Sequence, residues 1–176
     1  MVVLEMGNNK KLDQWESLKT EVKSYWSAYG GVKDFVESPY LVLSVLFALL
    51  VCFFRSNEWV WYNQALSVLP DLIGFSLGGY AVMLAFGDRR FQDAVRGKCS
   101  DGTSSPYLRI SATMAHFVLV QIITLLFSVC CSSANLANPV LNFLGTLMFI
   151  YSILLGISAT LSIFFMSRMY DNLPKK

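Results

Sequence analysis

Four long apolar runs separated by polar segments constrain this sequence more than any other feature. They cover residues 39–61, 64–87, 108–131 and 139–166, and the first of them ends in an aromatic stretch. A helix needs about 20 mostly apolar residues to cross a bilayer, and each run approaches or reaches that length. Charged residues make up only 15% of the chain, whereas soluble domains carry about 25%. The sequence therefore predicts an all-α fold, a four-transmembrane-helix bundle preceded by an N-terminal cytoplasmic amphipathic helix.

The distribution of Lys and Arg predicts how the bundle is oriented. Of the 14 Lys and Arg residues, all but Arg55 lie in or beside three segments, 1–38, 88–107 and 171–176. In a four-span chain these segments share one side of the membrane, and an excess of basic residues marks the cytoplasmic side. We therefore expect a cytoplasmic arm and linker over 1–38, a membrane domain over 39–170, and a cytoplasmic tail. Both termini of this multi-pass protein should lie in the cytoplasm.

The arm carries an apolar stripe that predicts an amphipathic helix, because its members recur every three or four positions. The stripe consists of Leu12, Trp15, Leu18, Val22, Tyr25, Trp26 and Tyr29. The remaining surface mixes acidic and basic side chains, unlike the Lys-rich face of most helices that lie on a membrane. Two interpretations therefore remain open. The stripe contacts the inner membrane surface, or it contacts a protein partner or a second subunit.

Basic residues open the cytoplasmic loop 88–107, beginning with Arg89 and Arg90. Clustered Arg and Lys at such a position most simply determine topology and contact anionic lipid. We therefore assign Arg89 and Arg90 to a membrane or partner surface. The basic patch is short and has no Gly-rich phosphate loop, so no direct binding of nucleic acid is expected.

The second run contains the sequence Gly-Phe-Ser-Leu-Gly at 74–78, which matches the pattern of a hydrolase nucleophile turn. That turn requires a strand before the serine and a surrounding sheet, whereas this run has the length of a membrane helix. Small residues spaced by four instead allow helix backbones to approach closely in lipid. We therefore predict two faces for helix packing or oligomerisation, one in the second run and one in the fourth. They consist of Gly74, Gly78 and Ala81, and of Gly145, Ser152 and Gly156.

Polar side chains inside the second and third runs predict an intramembrane polar seam that lines a pore or a subunit contact. They are Asp71, Ser76, His116 and Gln121. An ionisable group within a membrane span is costly and is a functional hypothesis by default. Asp71 has a second interpretation, in which it caps a helix that begins after Pro70 near the outer surface.

Catalysis is a remote alternative for this seam. Ser76 and His116 both lie roughly 12–15 Å into the membrane at a rise of about 1.5 Å per residue, so they are candidates for a dyad. A dyad also needs oxyanion donors and a water-accessible cavity, and the sequence indicates neither. The four cysteines show no C-x-x-C spacing of the kind that binds metal. We therefore expect no enzymatic activity, no cofactor and no metal site.

The segment 69–81 reads Leu-Pro-Asp-Leu-Ile-Gly-Phe-Ser-Leu-Gly-Gly-Tyr-Ala. It resembles a segment found in small bacterial inner-membrane proteins, some of which accompany phage-defence modules such as retrons. The resemblance covers this motif and the layout of a cytoplasmic arm followed by a few spans. It implies an effector in the inner membrane that compromises the bilayer when a cytoplasmic sensor reports infection, and it brings no catalytic residue with it.

These observations favour an oligomeric, channel-like effector of anti-phage defence, with the bilayer, further copies of itself and a cytoplasmic sensor or regulator as its partners. The alternative is a non-conducting membrane anchor that recruits a cytoplasmic partner through the amphipathic arm. A Ser76–His116 intramembrane hydrolase is the remote alternative.

Overall fold

The computed structural model describes residues 2–54, 60–85, 105–134 and 138–172, with side chains described from residue 13 onward. These residues form six helices and no strand, which confirms the all-α prediction. The helices are α1 (Val2–Tyr29), α2 (Gly31–Val36), α3 (Pro39–Phe54), α4 (Trp61–Ala85), α5 (Pro106–Ser133) and α6 (Pro139–Asp171).

Proline and a polar cap begin each of the two longest apolar helices. Ser105 precedes Pro106, and its hydroxyl accepts a hydrogen bond from the Leu108 amide at 3.2 Å. Asn138 precedes Pro139, and its side-chain oxygen accepts one from the Val140 amide at 2.8 Å. Proline suits the first helical turn because an amide there has no partner within the helix. These local signals explain why α5 and α6 start where they do.

α4 begins earlier than a cap at Asp71 would require. It runs from Trp61 to Ala85 with Pro70 inside it, so Asp71 lies within the helix. The interpretation in which Asp71 caps a helix start is therefore wrong. A proline in a membrane helix is tolerated when neighbouring helices support the backbone, and Leu69, next to Pro70, is buried in a cluster with Phe149 of α6.

Three of the helices, α4, α5 and α6, are long and apolar enough to cross a membrane, with 25, 28 and 33 residues. α3 has 16 residues, which gives a length of about 24 Å, short of the ~30 Å of a hydrocarbon core. The first span is predicted to run to residue 61, but Trp61 begins α4 instead. Residues 55–59 and the loop 86–104 lie outside the described residues. The chain thus has the helices of a multi-pass membrane protein.

α5 is the central helix, with α4 and α6 both packed along it, and α3 packs against α6. One buried cluster joins Trp61, Leu69 and Phe149, and a second joins Met83, Met114 and Leu155. The start of α4, the end of α5 and the start of α6 meet in the first cluster, so neighbouring helices run antiparallel. This is the order expected of consecutive spans.

Close approach at Trp61 generates a first prediction. A Cβ built on Gly145 would collide with the Trp61 ring, whereas one on Gly74 meets no atom within 4 Å. Gly145→Ala is expected to lower the free energy of unfolding by about 1–3 kcal/mol through overpacking. Gly79→Ala, the matched control, should be neutral or stabilising by up to ~1 kcal/mol, because a Cβ there also meets no atom within 4 Å and alanine favours helix. Thermal unfolding of the detergent-solubilised variants measures the difference, and equal melting temperatures would contradict this packing.

Candidate functional site

The arm contacts the bundle through its last two turns only. Side chains from Asp13 to Ser24 are exposed, whereas Tyr25, Trp26 and Tyr29 are half-buried against α5. The chain then turns sharply at Gly30 and Gly31, whose φ angles of 112° and 73° are both in the left-handed region that glycine adopts without steric cost. This turn lets α2 fold back, so that the end of α1 and α2 both lie against the same part of α5.

The arm closes around His116, the only histidine in the chain. The Tyr25 hydroxyl lies 2.6 Å from His116 Nδ1, and the Tyr151 hydroxyl lies 3.2 Å from His116 Nε2. The Tyr29 ring stacks on the imidazole with ring centroids 4.1 Å apart. His116 is therefore buried with both ring nitrogens paired, one to the arm and one to α6.

This pairing has a defined chemistry. A neutral imidazole carries one N–H donor and one acceptor nitrogen, so one tyrosine donates to the ring and the other accepts from it. Tyr25, His116 and Tyr151 thus form a directional chain of hydrogen bonds. Burial, with a smaller contribution from Tyr29 nearby, raises the pKa of Tyr25 to about 12, and burial likewise raises the pKa of Tyr29. Both hydroxyls accordingly keep their protons near neutral pH.

Phe35 of α2 completes the cluster. Its ring stands edge-on to His116 and to Tyr151, with centroids 6.0 and 5.9 Å away and interplanar angles of 74° and 86°. Edge-to-face contacts of this kind are favourable between aromatic rings. Beside it, Arg109 reaches Asp34 at 3.8 Å, but both side chains are largely exposed, so the ion pair contributes little. Aromatic packing and the Tyr25–His116 hydrogen bond hold the arm.

The four residues of the predicted polar seam do not form one chain of contacts. Ser76 is buried, and its hydroxyl donates to the Leu72 carbonyl of its own helix at 2.6 Å. Gln121 is fully buried, and neither of its amide atoms has a partner among the described residues. Asp71 is exposed on the surface of α4. With both His116 nitrogens bonded to tyrosines, no hydrogen bond joins His116 to Ser76 within the described part of the chain.

The two small-residue faces have different surroundings. On α6, Gly145 faces the Trp61 ring, Gly156 lies against the Phe117 ring, and Ser152 between them is fully buried. On α4, Gly74, Gly78 and Ala81 are exposed, and a Cβ on either glycine would meet no atom within 4 Å. The α6 face is used inside the bundle, whereas the α4 face is unpartnered in the part of the chain that the structure describes.

An apolar groove runs between α4 and α6 beside that unpartnered face. Its wider part has a volume of about 480 Å³ and is lined by Gly78, Gly79, Val82 and Met166 among others. A second part of about 410 Å³ continues past Phe75 and reaches Phe117 and Gly156. Phe75 stands at the rim with 80% of its surface exposed.

The predicted contact surface of the arm is divided. Trp15 and Val22 are 63% and 54% exposed, so this part of the stripe is not docked on the described part of the bundle. Tyr25 and Trp26 belong to the docked part, where Trp26 packs near Tyr29. Arg89 and Arg90 lie outside the described residues.

Sequence reasoning did not connect the predicted stripe of the arm with His116, and it did not single out Phe35 or Tyr151. It treated the arm as external to the bundle and sought a serine as the partner of the histidine. A usable signal was present, because a histidine in an apolar helix requires hydrogen-bond partners. Tyr151 is the tyrosine near the middle of the fourth apolar run, and it supplies one of them.

Comparison with protein-family models, with curated proteins and with solved structures found no match to this chain. Within the described residues, no group of three or more His, Cys, Asp or Glu side chains is placed to hold a metal ion. The long apolar helices, the docked arm and the exposed small-residue face of α4 are the features of this chain that bear on its function.

The arm contact generates a second prediction. Tyr25→Phe removes the hydroxyl and leaves His116 Nδ1 buried without its partner, which is expected to cost about 1–3 kcal/mol. Limited proteolysis of the arm should become faster, because docking of the last two turns of α1 is weakened. Tyr40→Phe is the matched control, since the half-buried Tyr40 makes no hydroxyl hydrogen bond among the described residues. Unchanged proteolysis in Tyr25→Phe would contradict the role assigned to this bond.

Proposed function

We propose that this chain assembles into a homo-oligomeric, channel-like effector of the bacterial inner membrane that perturbs the bilayer when its arm receives a signal. The observation that carries the proposal is the exposure of Asp71 on the same face of α4 as Gly74 and Gly78. Among the described residues of one copy, this face has no partner. Both Asp71 and the two glycines require a partner that packs on this face of α4.

The depth of Asp71 supports this requirement. It lies about 15 Å along α4 from Trp61 and about 21 Å from Ala85, at a rise of about 1.5 Å per residue. In a spanning α4, Asp71 therefore lies near the middle of the membrane. Exposure of an acidic group to lipid at that depth costs about 2.5–3.5 kcal/mol even on the mildest scale. Such residues almost always face other helices or a water-filled cavity. A second copy packed on this face would provide that environment.

The glycines provide the means of approach. With open space beside Gly74 and Gly78, the backbone of a second helix can come close, and van der Waals packing of this kind drives helix association in membranes. One face would then supply both the close contact and the polar group. Copies arranged in this way would line a shared seam with Asp71, which is the basis for a channel-like activity.

The arm is the proposed receiver of the signal. The exposed part of α1 projects from the bundle, and its docked part bonds to His116 at the centre of α5. A regulator that binds the exposed part would displace Tyr25 and Tyr29 and so change their contacts with α5. The resemblance of 69–81 to phage-defence membrane proteins supports placing this effector in anti-phage defence, with a cytoplasmic sensor as regulator.

Assembly and flux give the third prediction. Native mass spectrometry should find an oligomer of the wild-type chain and mainly monomer for Gly78→Leu, because the added side chain blocks the close contact. Cys130→Leu enlarges an exposed residue at the other end of the bundle and should leave the oligomer intact. A wild-type chain that is monomeric at all concentrations in lipid nanodiscs would contradict the proposal.

Ion flux into liposomes tests the role of Asp71. Tyr29→Ala, which weakens arm docking, is expected to raise the flux, and adding Asp71→Leu should then lower it at least about tenfold, equivalent to a loss of about 1.4 kcal/mol. Asp171→Leu is the control, since Asp171 is exposed at the last residue of α6. Equal flux in the Asp71 and Asp171 variants would remove Asp71 from the pathway.

A non-conducting anchor is the second candidate, and the exposure of Trp15, Leu18 and Val22 favours it. These side chains continue the stripe that docks at Tyr25, so a partner helix could extend the same contact. The fourth prediction separates the two functions. An anchor gives no flux in liposomes for any variant, and Trp15→Ser with Val22→Ser abolishes its activity in cells. An effector conducts in liposomes free of other proteins once the arm is released.

A further inference from the structure

The groove between α4 and α6 has two candidate membrane helices as its walls. Its two parts, of about 480 and 410 Å³, share Gly79 as a lining residue. Phe75, Val82 and Ile163 line the groove and are exposed, so it is open along its side. When α4 and α6 span a bilayer, that side faces hydrocarbon chains.

The groove runs along the direction in which the helices would cross the membrane. Near their starts, the Trp61 ring of α4 lies against Gly145 of α6, and near their ends Met83 and Met166 belong to one buried cluster. The two helices are therefore parallel to each other, with α5 antiparallel to both. A space between parallel spans suits an extended molecule that also lies along them.

The length of the groove matches one leaflet. It extends along α4 from Leu72 to Met83, which is about 16 Å at a rise of about 1.5 Å per residue. Ile73 is the midpoint of α4, so the groove covers only the half of the helix that ends at Ala85. Half of the ~30 Å hydrocarbon core of a bilayer is ~15 Å.

The lining of the groove favours a hydrocarbon occupant. Its hydroxyl groups belong to Ser76, Thr160 and Ser167, and each donates to a carbonyl of its own helix, at 2.6, 2.8 and 3.2 Å. Among the described residues that line the groove, none is charged. A polar guest would lose its solvation there with little return, whereas a hydrocarbon chain needs no hydrogen bond.

We propose that this groove is a binding site for one acyl chain of a phospholipid from the leaflet at the C-terminal ends of α4 and α6. The carboxyl end of the chain lies at the level of Met83 and Ser167, near the ends of both helices. Its methyl end lies at the level of Leu72, against the Phe117 ring of α5. The headgroup and the second acyl chain remain in the bilayer.

The dimensions of the groove favour an acyl chain over a helix of a second copy. A helix with its side chains is about 10 Å across, which requires more space than two connected volumes of about 480 and 410 Å³ provide. The site lies within one copy of the chain, so it does not depend on assembly through the α4 face.

Photolabelling of the full-length chain in detergent micelles tests the proposal. Two phosphatidylethanolamine probes are used at trace concentration, with a diazirine near the carboxyl end or near the methyl end of one acyl chain. Mass spectrometry of the digested protein should place the first label near Met83 and Met166 and the second near Leu72 and Phe117. Excess unlabelled phosphatidylethanolamine should compete with both probes.

Other occupants give different labelling patterns, and each of them would overturn the proposal. Labels spread evenly over the exposed apolar surface, including α3, would show only a nonspecific lipid layer. A groove that stays unlabelled while the protein is oligomeric would assign it to a second copy. Labelling by a diazirine fatty acid and not by the phospholipid probes would assign it to a free fatty acid.

A variant that fills the groove completes the test. A Cβ on Gly79 meets no atom within 4 Å, so Gly79→Leu places its side chain in the groove without displacing packed atoms. It should lower labelling of the groove at least about tenfold, which corresponds to about 1.4 kcal/mol. Ala85→Leu is the control, because Ala85 is exposed at the end of α4 and does not line the groove. Undiminished labelling in Gly79→Leu, or an equal loss in Ala85→Leu, would contradict the assigned site.

Discussion

The absence of hydrogen-bonding solvent in hydrocarbon is the constraint on which this structure depends. Every polar group in an apolar helix must find a partner inside the protein. Ser76, Thr124 and Ser152 do so locally, each donating to a carbonyl of its own helix. Because their needs are met without a neighbour, these helices can pack through small and apolar side chains. Hydroxyl-bearing residues can therefore lie in the core without disturbing the packing between helices.

His116 cannot be satisfied in that way, and the position of the arm follows from this. Its two nitrogens point in opposite directions, so two separate elements must supply their partners. Tyr25 comes from α1 and Tyr151 from α6, and the bundle thereby holds a segment that would otherwise project entirely from it. Gln121 and Asp71 represent the two remaining cases. Among the described residues, the first is buried without a hydrogen-bond partner and the second is exposed.

Much of the architecture was predictable because apolar length is a strong local signal. The runs at 64–87, 108–131 and 139–166 became helices whose bounds differ from the prediction by at most five residues at either end. Proline misled the interpretation of Asp71, since a helix supported by its neighbours continues through Pro70. The stripe of the arm was also predictable, but its division into docked and exposed parts was not. That division depends on which residues of α5 lie opposite, and the sequence of the arm contains no such information.

The sequence by itself determined that the chain forms apolar helices, because lengths near 20 residues and back-bonded hydroxyls are properties of single segments. Only the tertiary structure decided how their faces are used. Gly78 and Gly145 are equivalent small-residue signals, yet one faces open space and the other faces the Trp61 ring. The register between antiparallel helices makes this choice, since it depends on many weak contacts summed along two helices at once. For the same reason only the structure could place the Tyr25 hydroxyl on His116.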